Sequence, residues 1–551
     1  MSYDPVEYDP VELGIMWDRV VSIADEVVSA LITTSFSTIV RESGDLSCML
    51  FNGDGASLAQ GNFSVPSFTG TGPPTLRHML AKFPPESLEP GDVLITNDPW
   101  MGTGHTWDVN VMRPVFRGGR LVAYTLSVTH LPDIGGLGFS TVGTDIYAEG
   151  LRLPIQKLLK RGVVNAELME IILGNVRFPE MVQGDILANI ACNEVGGRLL
   201  TDFMDEYKLD DLGPLSRAII ERTESAMRAK IALIPDGVYR NAIPVEGIDE
   251  PLRLECAVTI RGSDVLIDLE GTTGSVQRAI NVPLCYTRAF CNYALKVVTI
   301  PDLPNNEGAA NPITLTAPPD CVLNALPPRA TAGRHVIGHF VAPLIFGALA
   351  PALPSQVQAD CGMLSQTSMR GTNLAERPVS SLFFAAGGFG ALHGQDGRDA
   401  TPGPSNMIGS PIEIWEDETN ITVLHKRLIP DSGGAGEWRG GNGQAIALRN
   451  DTGHVLDAAC FSSRSEHAAQ GYNGGKPGAL RETLLNGEHV HPKGRYLMQP
   501  GEVLETREAG GGGYGDPSRR ARAAVLADIE AGRLTPEGAA RDFGVVKGSG
   551  T

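Results

Sequence analysis

Asn97-Asp98-Pro99-Trp100-Met101-Gly102-Thr103-Gly104-His105-Thr106-Trp107-Asp108 opens the stretch that decides the fold, and His130-Leu131-Pro132-Asp133-Ile134-Gly135-Gly136 closes it. Between them lie Val109–Phe116 and Arg120–Thr129, two runs with strand-forming composition. Gly118-Gly119 separates the runs and reads as a tight turn. A hairpin lays the start of its first strand beside the end of its second. His105, Asp108 and His130 are therefore expected to converge at one end of a sheet. Each cluster has the form His-x-x-Asp. The chain holds 11 histidines, so two in matching motifs beside glycine turns stand out from background.

Imidazole and carboxylate together are the ligand set of a borderline divalent ion such as zinc or manganese. Asp45, after Gly44 and before a strand, is placed to add a second carboxylate. Four such ligands hold one ion and leave a position for water, whose pKa the ion lowers towards neutrality. The rival reading makes His105 and His130 loop histidines bonded to nearby carboxylates. Asp133 has three readings: a ligand, a partner that orients His130, or a cap on the turn that follows. Asp98, before Pro99, reads as a turn residue.

The 551 residues exceed what one core organises and imply about two to four domains. A net charge of −19 argues against nucleic acid as a partner, because a phosphate backbone needs a basic surface. No basic block and no apolar run of about 18 residues points to a membrane. The start, Met1-Ser2-Tyr3-Asp4-Pro5, lacks the basic and apolar regions of a signal peptide. The eight cysteines are scattered without a Cys-x-x-Cys pair, and the expectation is a reduced, cytoplasmic protein.

Elsewhere the periodicity predicts a helix over about 10–40 and helices across 165–232. A turn Asn52-Gly53-Asp54-Gly55 follows a strand ending at Phe51 and precedes a return strand near Ser57–Gln60. Strand-like runs at Leu252–Ile260 and Val265–Leu269 and helices over 285–300 and 340–352 follow the break at Pro235–Val238. The zone 385–445 reads as strands and loops, and 519–543 as helix before a disordered Gly-Ser-Gly-Thr end. The division expected is 1–235 as a metal-binding region, 236–370 as a central α+β region, 371–518 as a glycine-rich β region and 519–551 as a helical tail. The fold class is mixed α+β.

Other motifs read as structural. Gly510-Gly511-Gly512-Gly513-Tyr514-Gly515-Asp516-Pro517 lacks the Gly-Lys-Ser/Thr of a phosphate loop and reads as a glycine turn; Asp431–Gly441 reads as a loop. With no Walker motif, the chain is not expected to bind ATP alone. Cys48 reads as a buried strand cysteine rather than a nucleophile. His335, His339 and His393 read as structural or substrate-contacting.

Taken together, Arg41–Phe51, Asn97–Val115, His130–Gly136, Ile300–Gly308, Phe346–Pro354, Asp431–Gly441 and Gly510–Pro517 resemble the hydantoinase B/oxoprolinase family, in the family's order. The resemblance implies a B-type subunit that works with an A-type partner. The partner holds ATP and magnesium and phosphorylates the substrate's carbonyl or enol oxygen. The B-type part carries one divalent ion, here on Asp45, His105, Asp108 and His130, with His130 and Asp133 as the catalytic pair. Two departures stand out. Leu131 occupies the place of a second histidine in many relatives, and Thr106-Trp107 stand where many have Leu-Pro. The expectation is a changed pocket lining and a different substrate.

The function implied first is ATP-dependent opening of a lactam, hydantoin or related cyclic amide, in a heterotetramer or larger assembly. The alternatives are a B-type subunit of an ATP-dependent ketone carboxylase, or a structural subunit whose metal clamps the fold or the interface.

Overall fold

The structure is a computed structural model that describes residues 8–68 and 70–545. The Met1–Pro5 start and the Gly-Ser-Gly-Thr end lie outside the described residues. Helix accounts for 31% and strand for 25% of the chain. The strands form four sheets, and within them only one pairing runs parallel among the described residues, so the class is α+β as expected.

The first sheet is built from β1 (Leu46–Asn52), β2 (Ser57–Gln60), β3 (Val93–Thr96), β4 (Asp108–Arg117), β5 (Arg120–His130), β6 (Gln156–Lys160) and β7 (Val163–Val164), in the order β2-β1-β5-β4-β3-β6-β7. Its central hairpin is the predicted one. Gly118 and Gly119 both have positive φ, which suits a two-residue turn that follows the strand twist. The register that follows sets Arg117 opposite Arg120 and, at the far end, Asp108 opposite His130.

Alternate side chains leave this sheet on opposite faces. Cys48 and Leu50 pack with the helices Pro10–Thr34 and Pro179–Glu206, while Met49 and Phe51 join the core on the other face. That second core also draws in Ala332, Val336, Leu364, Phe384, Met407 and Phe461. All eight cysteines are free, and Cys48 is buried in β1 as read.

The helix expected over 10–40 is broken. It starts at Pro10, capped by Asp9, whose side chain accepts from the Val11 and Glu12 N–H groups, and stops at Thr34. A separate turn, Thr38–Arg41, follows. Asp185 causes the break: its Oδ1 takes the Phe36 N–H at 2.7 Å and the Ser37 N–H at 3.0 Å. A sequence period cannot register a competing acceptor that arrives from another helix.

A second sheet contains β8 (Gly237–Val245), β9 (Leu252–Arg261), β10 (Asp264–Asp268) and β11 (Ile313–Thr316), covered by the helices Leu284–Thr299 and Val341–Leu349. The remaining strands are β12 (Leu364–Thr372), β13 (Pro378–Ala386), β14 (Ile421–Leu428), β15 (Gln444–Asn450), β16 (Leu456–Phe461), β17 (Glu482–Leu485), β18 (Glu488–His489), β19 (Arg495–Met498) and β20 (Val503–Arg507). They form the sheets β13-β12-β16-β19 and β14-β15-β20-β17-β18. The zone 385–445 also contains a helix, Ile412–Thr419, that the expectation of strands and loops omits. Its eight residues are too few to show a period above the surrounding glycine and proline.

Gly510–Gly513 does not form a turn. It is a buried thread that runs beside residues 387–391, 433–441 and 471–478. Backbone bonds tie these threads laterally: Gly388 N–H to Ala509 O, Ala391 N–H to Gly512 O, Gly434 N–H to Gly511 O, Gly511 N–H to Gly441 O and Gly513 N–H to Lys476 O, all at 2.8–3.0 Å. A Cβ added to Gly388 would stand 1.8 Å from the Gly441 carbonyl oxygen, and one on Gly440 2.0 Å from that of Gly511. Neither glycine has positive φ. Space, not conformational freedom, requires glycine here.

Candidate metal centre

The loop before β4 is held by its own polar side chains. Asn97 donates to the Thr106 carbonyl at 2.7 Å and to the Leu151 carbonyl at 2.9 Å. Asp98 accepts the Trp100 N–H and pairs with Arg152 at 2.9 Å, so it is a turn residue as read. Gly104 has φ +95, and a Cβ there would lie 2.8 Å from Arg334 Cδ. Glycine is what lets Arg334 reach past the loop into the cluster.

Asp108 begins β4 and His130 ends β5, so their cross-strand pairing sets the two side chains together. Asp108 Oδ1 lies 2.8 Å from His105 Nε2 and 3.3 Å from His130 Nδ1. Asp45 Oδ2 is 3.7 Å from His130 Nδ1, and the His130 N–H donates to the Asp45 carbonyl. His105, Asp108 and His130 are each no more than 2% exposed. Arg334 Nη2 donates to Asp108 Oδ2 at 2.6 Å, and its Nε donates to the Thr103 carbonyl at 2.8 Å.

Burial opposes the charge on Asp108, but His105 and Arg334 outweigh it and hold its carboxyl well below the usual range. Burial pushes Asp45 up to about 6, against the pull of His130. Burial and then Arg334 bring His105 down to about 4, so its ring is neutral at pH 7. Two carboxylates then share the cluster with one guanidinium.

The residues fit a small divalent cation. One ligand atom from each of His105, Asp108 and His130 lies within 4.8 Å of the other two. Ligand atoms about 2.1 Å from a tetrahedral ion stand about 3.4 Å apart, and the spacings of 2.8, 3.3 and 3.7 Å bracket that value. His105 Nδ1 sits 2.9 Å from the Ala332 carbonyl and 3.2 Å from Arg334 Nη1; in the tautomer that gives its proton to the shorter, carbonyl contact, the lone pair is on Nε2. That Nε2 is buried, and no hydrogen bond satisfies it.

Trp107 stacks on His130 with centroids 5.7 Å apart, and Phe139 meets the same ring edge-on at 5.1 Å. A cavity of about 30 Å³ adjoins the cluster, lined by Asp45, His105, His130, Phe139, His335 and His339, among others. Its volume is about that of one liquid water. Thr106, Trp107 and Leu131, expected to change the pocket lining, are buried behind the cluster and do not line this cavity.

Asp133 is not bonded to His130. Its Oδ1 accepts the Gly135 N–H at 3.2 Å and pairs with Arg177 Nη1 at 2.7 Å, and its Oδ2 accepts the Arg177 N–H. Of its three readings, the turn cap is the one with hydrogen bonds behind it. His335 and His339 line the cavity, and His335 Nε2 is buried without a partner. His393 lies elsewhere, packed on Trp438 with centroids 4.7 Å apart.

Arg334 is the residue that sequence reasoning misses, since its partner Asp108 is 226 residues away. Glu149 is another. It is 2% exposed, its Oε1 accepts the Thr331 and Ala332 N–H groups, and burial pushes its carboxyl up to about 8. It thereby fixes the turn that supplies both the Ala332 carbonyl and Arg334.

The fold is shared with known proteins. The hydantoinase B/oxoprolinase family profile matches residues 9–517, and the chain belongs to that family. It is 29% identical to the B-type polypeptide of a putative D-/L-hydantoinase from Pseudomonas sp. (strain NS671), over 98% of this chain and 96% of that one. It is 30% identical to the beta subunit of the caprolactamase from Pseudomonas jessenii, with the same coverage. The crystal structure of ATP-dependent caprolactamase from Pseudomonas jessenii superposes with a TM-score of 0.90 at 27% identity, covering 99% of this chain and 98% of that one. A nucleotide-free acetone carboxylase structure shares the fold, with a TM-score of 0.87 at 19% identity over 98% of this chain and 80% of that one. Among the described residues no helix is long and apolar enough to cross a membrane.

Proposed function

We propose that this chain is the metal-holding B-type subunit of an ATP-dependent cyclic amidohydrolase. It opens a lactam, hydantoin or related cyclic amide after an A-type partner has phosphorylated the amide oxygen. The observation that carries this reading is the buried His105–Asp108–His130 cluster in a chain whose relatives include a named hydantoinase subunit and a caprolactamase subunit. Asp45, His105, Asp108 and His130 hold one zinc or manganese ion. Such an ion supplies Lewis acidity and lowers the pKa of water.

The chain's own residues prepare that centre. Arg334 fixes one oxygen of Asp108 and leaves the other facing the two imidazoles. In the tautomer that donates to the Ala332 carbonyl, His105 has a free Nε2. Trp107 and Phe139 shield His130 from bulk water. Asp133 is a positioning residue, tying Arg177 to the turn after His130. In the overall reaction one water adds at the activated carbon, the ring C–N bond breaks to leave an amine and an acyl phosphate, and a second water hydrolyses the acyl phosphate to a carboxylate and inorganic phosphate. ATP and magnesium belong to the partner, and the working unit is a cytoplasmic heterotetramer or larger.

The carboxylase reading draws on the acetone carboxylase fold, whose TM-score is close to that of caprolactamase. Assay of lactams and ketones with ATP and the partner separates the two. The test of the metal role is His105→Ala, analysed for metal content, assembly and activity. About one ion per wild-type chain, lost in a variant that still folds and assembles but is inactive, supports catalysis at this cluster. Loss of assembly together with the ion supports the structural role. A wild-type complex that turns over without any bound ion sinks the proposal.

A further inference from the structure

A cavity of about 250 Å³ lies along the helix Leu284–Thr299, away from the metal cluster. One wall carries Arg288, Asn292 and Lys296, which recur at four-residue steps and so share one helix face. The lining also has an apolar part that includes Met49, Phe51 and Pro73. The rim includes Asn305, Asn306 and Glu307, part of the Ile300–Gly308 stretch that the metal centre does not use.

The charges in this cavity do not balance. Its carboxylate, Glu307, is committed: Oε1 pairs with Arg77 at 3.0 Å and Oε2 accepts the Ser57 N–H at 2.8 Å. Arg288 makes no hydrogen bond or ion pair among the described residues. The Asn292 residue is 7% exposed, and its amide is likewise unbonded; Gly70 opposite leaves room for it, since a Cβ there would stand 2.8 Å from Nδ2. Lys296 Nζ reaches only the Ile300 and Pro301 carbonyls, at 3.5 and 3.4 Å. Burial pulls its pKa down, although Asp302 acts the other way. In a chain of net charge −19, a half-enclosed guanidinium and ammonium that form no ion pair among the described residues need explaining.

We propose that this cavity binds a phosphoryl group. Arg288, Asn292 and Lys296 take the phosphate oxygens, which belong either to free inorganic phosphate or to a small molecule whose apolar part rests on Met49, Phe51 and Pro73. Guanidinium, amide and ammonium on one rigid helix face offer charge-assisted donors in a fixed array. The site stands on its own contacts and does not rest on the hydrolytic reading.

Calorimetric titration of the full chain at low ionic strength tests this, after chelation of metal and a check that the fold is retained. The probes are inorganic phosphate and phenyl phosphate. Wild type is expected to bind one equivalent. Arg288→Gln and Lys296→Gln each weaken binding about tenfold, and Asn292→Asp, which adds a like charge, abolishes it. His105→Ala leaves the affinity unchanged. Tighter binding of phenyl phosphate assigns the site to an organic phosphate; equal affinities assign it to the free ion. The proposal is overturned by three results: no heat with either probe, wild-type affinity in both glutamine variants, or loss of binding in His105→Ala. Melting curves of the two glutamine variants guard against misfolding, and where only one of them folds, its affinity alone decides the question.

Discussion

Beside the β4–β5 hairpin, Asp45, His105, Asp108, His130 and Arg334 are buried together, each in contact with another charged or polar group of the cluster. Around Gly511 the threads meet with no side chains between them, and backbone amides bond to backbone carbonyls. The first region tolerates desolvated charge because every carboxylate has a partner. The second tolerates desolvated peptide because every thread has a neighbour at hydrogen-bond distance. Both are buried polar networks. They differ in what a substitution does: in the cluster it removes a partner, and in the threads it adds an atom where there is no room.

The largest effect is expected in the threads. Gly388→Ala sets a methyl against the Gly441 carbonyl and should cost more than about 4 kcal/mol, seen as lost soluble yield or a collapsed denaturant midpoint. Gly118→Ala is the control, since its Cβ meets nothing within 4 Å. Its φ of +58 should cost only about 1–2 kcal/mol. Equal stability of the two variants would mean that the threads are not close-packed.

In the cluster, Arg334→Met leaves Asp108 buried with one oxygen unpaired. The expected loss is about 3–5 kcal/mol by urea unfolding of the metal-free protein at pH 7. Adding Asp108→Asn should restore most of it, because the two residues act as a pair. Additive losses would show that Arg334 acts mainly through its packing on Tyr286.

Glu149→Gln should have the smallest effect at about pH 4, within about 0.5 kcal/mol, because there the carboxyl is protonated both in the fold, where burial pushes it up to about 8, and largely in the unfolded chain. Its signature lies in the pH dependence. The native state holds this proton more tightly than the unfolded chain. The resulting stability is complete below the ordinary glutamate range and is lost as pH rises through about 8. Wild type should lose up to about 1.4 kcal/mol per pH unit across that window, and the glutamine variant should not. Parallel stability curves for the two proteins would refute a protonated Glu149.

The same contrast explains what could be read in the sequence. The hairpin was legible because β-branched runs and Gly118-Gly119 fix its register locally, and the register brings Asp108 to His130. Asp45 was legible because it directly precedes β1, which pairs with β5. Arg334 was not, because nothing within its own segment depends on Asp108. The role of Asp133 was open because a cap and an orienting partner have the same sequence signature. Of the threads, Gly510–Gly513 reads in the sequence as a glycine turn, and the structure makes it an extended, buried segment. Glycine marks positive φ and close approach equally, and only the neighbouring backbone tells them apart.

The threads also set a timetable. His130 leaves the ribosome 382 residues before Gly512. At ordinary translation speeds the interval is roughly 20–80 s. Until Gly510–Gly513 emerges, the 387–391 and 433–441 segments lack the neighbour that accepts and donates their hydrogen bonds. Phe461 and Met407, which pack in the same core as Trp107 and Phe139, arrive late as well. Nascent chains therefore carry an unroofed pair of histidines for tens of seconds, and a premature stop codon before residue 510 yields a chain whose interior cannot close.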